Sequence, residues 1–171
     1  QRCRFARFTL VKQLVDFPNP VNEKTARTVA AFVAVFSLVG LVTGWSWLLL
    51  VMAAGFWLRA ASGPRFSPVA ILSNRAIAPR LGEPRMVPGP PKRFAQTIGA
   101  VLTTTGAVLV FAFGIAGASP VVFGTMAVFA TLESAFGLCV GCQIFAALMR
   151  FGVIPREICE ECSNISLRRA T

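Results

Sequence analysis

The sequence predicts an all-α membrane protein with four transmembrane helices joined by short outer turns. Of its residues, 55% are hydrophobic and only 14% are charged, whereas a soluble domain carries about 25% charged residues. Four apolar segments approach or exceed the length of about 20 residues that a membrane-spanning helix needs. They comprise residues 28–44, 45–61, 94–117 and 121 to about 149.

The distribution of lysine and arginine predicts the orientation in the membrane. Six of the 17 basic residues precede the first apolar segment, seven lie between residues 59 and 93, and four follow Met149. The two short turns, near residues 44–45 and 117–120, carry none. Because basic loops are retained in the cytoplasm, we expect a multi-pass protein of the cell (inner) membrane with both termini cytoplasmic. The net charge of +10 then faces anionic lipid headgroups, so we do not expect nucleic-acid binding.

These signals divide the chain into five parts. They are a basic amphipathic cytoplasmic segment (1–27), a first transmembrane hairpin (28–61), a Pro-rich cytoplasmic loop (62–93), a second transmembrane hairpin (94–150) and a cytoplasmic tail that contains cysteines (151–171). The first segment has apolar residues at helical spacing, which suits a helix lying in the membrane interface. A disordered basic tail is the alternative interpretation.

Glu133 is the only acidic residue inside a predicted span. It lies about 18 Å into a hydrocarbon core of about 30 Å, in the cytoplasmic half. Acidic groups at such depth are costly and are often functional. We interpret Glu133 as a carboxyl that holds the fourth helix against the Thr103 to Thr105 run or a basic loop residue. A role in proton transfer or ligand binding is the alternative.

A continuous fourth helix would separate this carboxyl from the nearest thiols. At about 100° per residue, Gly137 and Gly141 share the face of Glu133, whereas Cys139 and Cys142 point away from it. Without a kink at one of the two glycines, Glu133 cannot act as an acid or base for these cysteines.

Two CxxC pairs, Cys139 with Cys142 and Cys159 with Cys162, are separated by 16 residues. This spacing falls within the range of tetracysteine zinc sites, and the cytoplasm disfavours structural disulfides. We expect the four thiols to meet at one cytoplasmic site. Zinc is therefore the first hypothesis. A tetrahedral site of four thiolates would hold the tail to the bundle. The protein would then be a scaffold or accessory subunit.

Thiol chemistry is the second hypothesis for the same four residues. A CxxC pair can alternate between dithiol and disulfide or carry a persulfide, and two neighbouring pairs can form a relay. The acidic CEEC sequence raises thiol pKa values, whereas the basic surroundings of CVGC favour thiolate. Unrelated thiols are the third possibility. The sequence therefore assigns no catalytic residue and leaves open whether the protein is an enzyme.

Several stretches of the chain resemble one bacterial family. They are "FPNPVNEKTARTVA", "GPRFSPVAILSNRAIAPRLG", "PKRFAQTIG" and "LESAFGLCVGCQIFAALMRFGVIPREICEEC". Together, from Phe17 to Cys162, they are similar to the integral membrane proteins, common in actinobacteria, described as domain of unknown function 4395. The resemblance implies an integral membrane protein of undefined activity, and it favours a cytosolic thioredoxin-like or sulfurtransferase protein as the partner. A larger membrane complex is the alternative partner. It supplies no catalytic residues.

Overall fold

The computed structural model describes residues 21–63, 68–73, 75, 80, 83 and 85–153, and this part of the chain is mostly helical, as predicted. Its elements are β1 (Val21–Asn22), α1 (Glu23–Thr43), α2 (Leu48–Ser62), α3 (Pro68–Leu72), β2 (Met86–Val87), α4 (Gly89–Phe111), α5 (Ala118–Phe136) and α6 (Val140–Arg150). The predicted amphipathic helix before residue 21, and the tail with Cys159 and Cys162, lie outside the described residues.

Three helices, α1, α4 and α5, are long and apolar enough to cross a membrane. Helices α2 and α6 are apolar but shorter, with 15 and 11 residues. Large apolar side chains cover the outside of the bundle; Val42 is 84% exposed and Val121 is 68% exposed. An apolar exterior of this kind is typical of a surface that contacts lipid. The fold is therefore compatible with a multi-pass membrane protein.

The helices pack in antiparallel pairs. Helix α1 packs along α5, and α2 packs along α4. Glycines bring the helices close together: a Cβ atom at Gly40 would lie 2.5 Å from Cζ of Phe123, and one at Gly99 would lie 2.5 Å from Cε1 of Phe56. These two rings lie in the apolar core. The core thus depends on small residues facing aromatic ones, the close packing that helix association in lipid requires.

The beginnings of α1 and α4 lie at the same end of the bundle. Strands β1 and β2 pair antiparallel, with Val21 opposite Val87, and each strand leads directly into its helix. Asn22 caps α1, because its Oδ1 accepts a hydrogen bond of 3.0 Å from the backbone N–H of Lys24. Helix α4 begins at Gly89, before the apolar segment predicted from residue 94. Proline is tolerated in a first helical turn, so this early start places Lys92 inside the helix.

The predicted continuous fourth helix is wrong, because the chain breaks between α5 and α6. Helix α5 ends at Phe136 and α6 begins at Val140. Gly137 has a φ of 71°, the left-handed conformation that glycine adopts without the clash a Cβ atom would cause. Cys139 is extended, with φ −84° and ψ 107°. The apolar sequence continues through the break, which explains why periodicity alone missed it.

Hydrogen bonds satisfy the carbonyl groups left free at the end of α5. The backbone N–H of Gly137 donates to the carbonyl of Glu133 at 3.0 Å. The Arg27 side chain, from α1, donates to the carbonyl of Ser134 through Nε and Nη2, and through Nη2 to the carbonyl of Ala135 at 2.7 Å. A guanidinium at a helix C-terminus also interacts favourably with the helix dipole. Arg27, which belongs to the neighbouring helix α1, therefore stabilises the break between α5 and α6.

Candidate functional site

A buried ion pair lies at the end of the bundle where α1 and α4 begin. Nζ of Lys92 lies 2.6 Å from Oε1 of Glu133, and the two side chains are 10% and 17% exposed. A charge in such surroundings needs a partner. Of the two partners predicted for Glu133, the basic loop residue is the one found. Thr103 donates its hydroxyl to the carbonyl of Gly99 instead.

A second buried cation lies close to this pair. Arg59 of α2 is only 7% exposed, and its guanidinium attracts Glu133 electrostatically. Its Nε donates a hydrogen bond of 2.9 Å to Oε1 of Gln96, and its guanidinium carbon lies 4.6 Å from the centre of the Phe56 ring. We call Arg59, Lys92, Gln96 and Glu133 the polar cluster.

Three members of the polar cluster were missed in the sequence analysis. Arg59, Lys92 and Gln96 were treated as part of the span ends and the basic loop rather than as site residues. The signal that could have found the two cations is Glu133 itself, because an acidic residue in an apolar span requires a positive partner. Arg59 and Lys92 both lie where an apolar segment meets the central loop.

The break at Gly137 brings the first cysteine pair to the polar cluster. Cys139 occupies the N-cap position of α6, and Cys142 lies in its first turn. Cys139 is buried, Cys142 is partly exposed, and both are free thiols. Lys92 and Glu133 each interact electrostatically with both cysteines. The expectation that Glu133 points away from the thiols therefore fails, because it assumed a helix without a kink.

Close packing fixes the position of α6 against α4. A Cβ atom at Gly141 would lie 2.5 Å from Cβ of Ala95. One turn further along, the rings of Phe145 and Phe94 have their centres 5.5 Å apart. The backbone that carries the two thiols is therefore held directly over the turn of α4 that carries Lys92.

The two thiols differ in acidity. A hydrogen bond from the Cys142 thiol lowers the pKa of Cys139; burial and the Glu133 charge act against this effect, and the Lys92 charge adds to it. The same hydrogen bond, together with burial, raises the pKa of Cys142. Cys139 is therefore the sulfur that carries negative charge first.

Cys139 lies between two recesses. The first, which we call the apolar crevice, has a volume of about 80 Å³, and its polar lining residues among the described ones are Gln96, Glu133 and Cys139. The second, the end recess, has a volume of about 260 Å³, and Lys92, Cys139 and Cys142 contribute to its lining. One thiol can thus be approached both from inside the bundle and from its end.

The four-cysteine zinc site stays a prediction, because two of its residues, Cys159 and Cys162, lie outside the described part of the chain. Among the described residues, no three or more His, Cys, Asp or Glu side chains come together in a group that could hold a metal ion. In this part of the chain, Cys139 and Cys142 have no third residue of these types placed with them to bind a metal ion.

Comparison with known protein families identifies the family of this chain. The family described as "Domain of unknown function (DUF4395)" matches residues 21–150. This range includes the polar cluster, Cys139 and Cys142, and it ends before Cys159. No curated protein and no solved structure matches the chain.

Proposed function

Because the chain belongs to the family of domain of unknown function 4395, whose description names no reaction, we propose a function from its own residues: a membrane thiol oxidoreductase with Cys139 and Cys142 as its reactive pair. One observation carries this proposal. The break at Gly137 sets both thiols at the start of α6, beside the ion pair of Lys92 and Glu133.

The start of a helix favours a thiolate. Its backbone N–H groups carry partial positive charge, and cysteines at helix N-termini or next to a lysine are the reactive ones in proteins. Cys139 meets both conditions. Lys92 is a positioning residue in this proposal, because its charge stabilises the thiolate, and Glu133 keeps that ammonium group in place.

Electrons and atoms balance in a two-step exchange. The Cys139 thiolate attacks a disulfide of the partner, forms a mixed disulfide with one partner sulfur and releases the other. Cys142 then gives up its proton and attacks the sulfur of Cys139, which releases the partner as a dithiol. The Cys139–Cys142 pair becomes a disulfide, so two electrons pass to the partner. The reverse sequence oxidises a partner dithiol.

We propose a cytosolic thioredoxin-like or sulfurtransferase protein as the partner, on the strength of the family resemblance. The end recess suits this contact, because the partly exposed Cys142 lines it together with Cys139. A larger membrane complex that contains such a partner would meet the same requirement.

Glutathione disulfide tests the exchange in a simple form. The Cys142→Ser variant should keep one glutathione on Cys139, because the thiol that resolves the mixed disulfide in this proposal is absent. The unmodified protein should release glutathione and form the internal disulfide. Peptide mass spectrometry locates the adduct, and Cys139→Ser is the matched control, in which the adduct at position 139 is impossible. Equal glutathione uptake at position 139 in the unmodified protein and in Cys142→Ser would contradict the proposal.

Four membrane crossings with both termini in the cytoplasm are the proposed topology. The pairing of β1 with β2 supports it, because α1 and α4 begin at the same end and α2 must therefore lead the chain back between them. The segregation of basic residues supports the orientation. In intact cells, a single cysteine introduced by Ser46→Cys should react with an impermeant maleimide, and one introduced by Arg85→Cys should not. The opposite labelling pattern would reject the orientation.

A scaffold protein whose tail is held by a zinc ion is the second candidate. It is favoured by the closeness of Cys139, the N-cap residue of α6, to Cys142 in the first turn of that helix. Two neighbouring thiolates would supply half of a tetrahedral zinc site, which Cys159 and Cys162 would complete. Purified protein should then contain about one zinc ion per chain, and Cys159→Ser should lose it. Zinc-free protein that cycles between dithiol and disulfide would reject this candidate.

A further inference from the structure

The apolar crevice communicates with the outer surface of the bundle. It is lined by residues of α1, α2, α4, α5 and α6. Two of its lining residues, Phe129 and Ile144, are also 37% and 42% exposed on the apolar exterior. A molecule dissolved in the surrounding lipid could therefore enter the crevice without crossing water.

The inner end of the crevice offers hydrogen-bonding groups to such a molecule. Arg59 donates to Gln96, and a guanidinium has no acceptor. The Oε1 atom of Gln96 is therefore the atom that faces Arg59, and among the described residues no hydrogen bond from its amide NH₂ group is seen. Glu133 and Cys139 also line the crevice. The crevice thus combines apolar sides, an N–H donor and a reactive sulfur.

We propose that the apolar crevice binds the ring of a lipid-soluble quinone, which oxidises the Cys139–Cys142 dithiol. This inference rests on the proposed thiol oxidoreductase function and names its electron acceptor. A quinone has an apolar ring and carbonyl oxygens that accept hydrogen bonds, which fits the apolar lining and the amide NH₂ group that Gln96 brings to it. The volume of about 80 Å³ admits the edge of the ring that carries a carbonyl oxygen, while the rest of the ring and the tail stay at the apolar exterior.

The reaction balances without a further reagent. Two S–H bonds break and one S–S bond forms between Cys139 and Cys142. The two electrons and two protons pass to the quinone, whose carbonyl oxygens become the two hydroxyl groups of a hydroquinone. The resulting disulfide can then oxidise the dithiol of the partner, which returns the protein to its starting state.

Anaerobic mixing of the reduced protein, in detergent, with decylubiquinone tests this proposal. We expect one quinone to be reduced for each Cys139–Cys142 disulfide formed, measured by quinone absorbance and peptide mass spectrometry. Ala26→Leu fills the crevice from α1 at a partly exposed position and should lower the rate at subsaturating quinone at least tenfold. Ala31→Leu adds the same volume on the exposed side of α1 and should stay within twofold of the unmodified protein.

Exchange with glutathione disulfide distinguishes a failure of the quinone site from a failure of the proposed oxidoreductase function. Both leucine variants should form the internal disulfide with glutathione disulfide at the unmodified rate. Normal exchange with no reduction of decylubiquinone, or equal quinone rates for Ala26→Leu and Ala31→Leu, would overturn the quinone site and leave the oxidoreductase standing. Failure to form the Cys139–Cys142 disulfide with either oxidant would overturn both.

Discussion

Nζ of Lys92 donates a hydrogen bond of 2.6 Å to Oε1 of Glu133, and this bond joins the first turn of α4 to the last turn of α5. Both side chains are largely buried. Glu133 is the acidic partner of Lys92, so the loss of Glu133 leaves the Lys92 charge buried and unpaired.

Removal of Glu133 alone should destabilise the bundle. Glu133→Leu should lower the free energy of unfolding by roughly 2 kcal/mol, less than for a fully buried pair because both groups retain some solvent contact. The double variant Lys92→Met with Glu133→Leu should recover part of this loss, since the Lys92 charge is then absent and only Arg59, which keeps its hydrogen bond to Gln96, has lost a carboxylate. Denaturation of the detergent-solubilised protein measures both values.

The exposed ion pair of Arg85 with Glu23 is the matched control. Nε of Arg85 lies 3.1 Å from Oε2 of Glu23, but the Arg85 side chain is 78% exposed. Arg85→Ala should therefore lower the free energy of unfolding by less than about 1 kcal/mol. A Lys92/Glu133 double variant as unstable as the sum of its single variants would show that the pair does not act as a unit.

Gly137→Ala should destabilise the break between α5 and α6. A Cβ atom in the left-handed conformation costs about 1–2 kcal/mol, and here it would also lie 3.2 Å from Oε1 of Glu23. Gly124→Ala, within α5 and with open space around its Cβ position, should instead stabilise the helix by about 0.5–1 kcal/mol. Thermal unfolding compares the two; an equal effect of both substitutions would contradict the assigned role of Gly137.

Much of the architecture follows from the sequence because apolar length and capping are local signals. The apolar segments predicted the helices, and Asn22, a residue type that favours the N-cap position, caps α1. The break at Gly137 could not be placed in the same way. Its cost is offset by tertiary hydrogen bonds from Arg27 to the end of α5, and no local pattern shows that these two segments meet.

The candidate site was predicted in its parts but not in its arrangement. Cys139, Cys142 and Glu133 were identified from their residue types. Their proximity depends on the rotation introduced at Gly137, which redirects the thiols from the face opposite Glu133. The partner Lys92 joins them because the prolines at the start of α4 let that helix begin at Gly89.

Alkylation at different pH values should reveal the acidity of Cys139. The hydrogen bond from Cys142 lowers the pKa of Cys139, so its thiolate should persist to lower pH than the thiolate of an ordinary cysteine. Cys142→Ala removes the hydrogen-bond donor and should move the inflection of the iodoacetamide rate to higher pH. Lys92→Met should act in the same direction, because it removes a positive charge, and Glu133→Gln should act in the opposite one.

Peptide mass spectrometry of the alkylated products assigns each rate to Cys139 or Cys142. The variants together cover the charged and titratable groups that α4, α5 and α6 direct at this sulfur. An inflection that stays in place in Cys142→Ala would contradict the coupling between the two thiols.

The redox equilibrium of Cys139 and Cys142 tests the central claim most directly. The full-length protein is equilibrated in glutathione buffers of increasing oxidation, and the bond between these two residues is quantified by peptide mass spectrometry. A thiol oxidoreductase should show one reversible two-electron transition, with a tenfold change in the ratio of disulfide to dithiol for every 30 mV or so. Cys139 and Cys142 that stay reduced and separately alkylated in every buffer would contradict it.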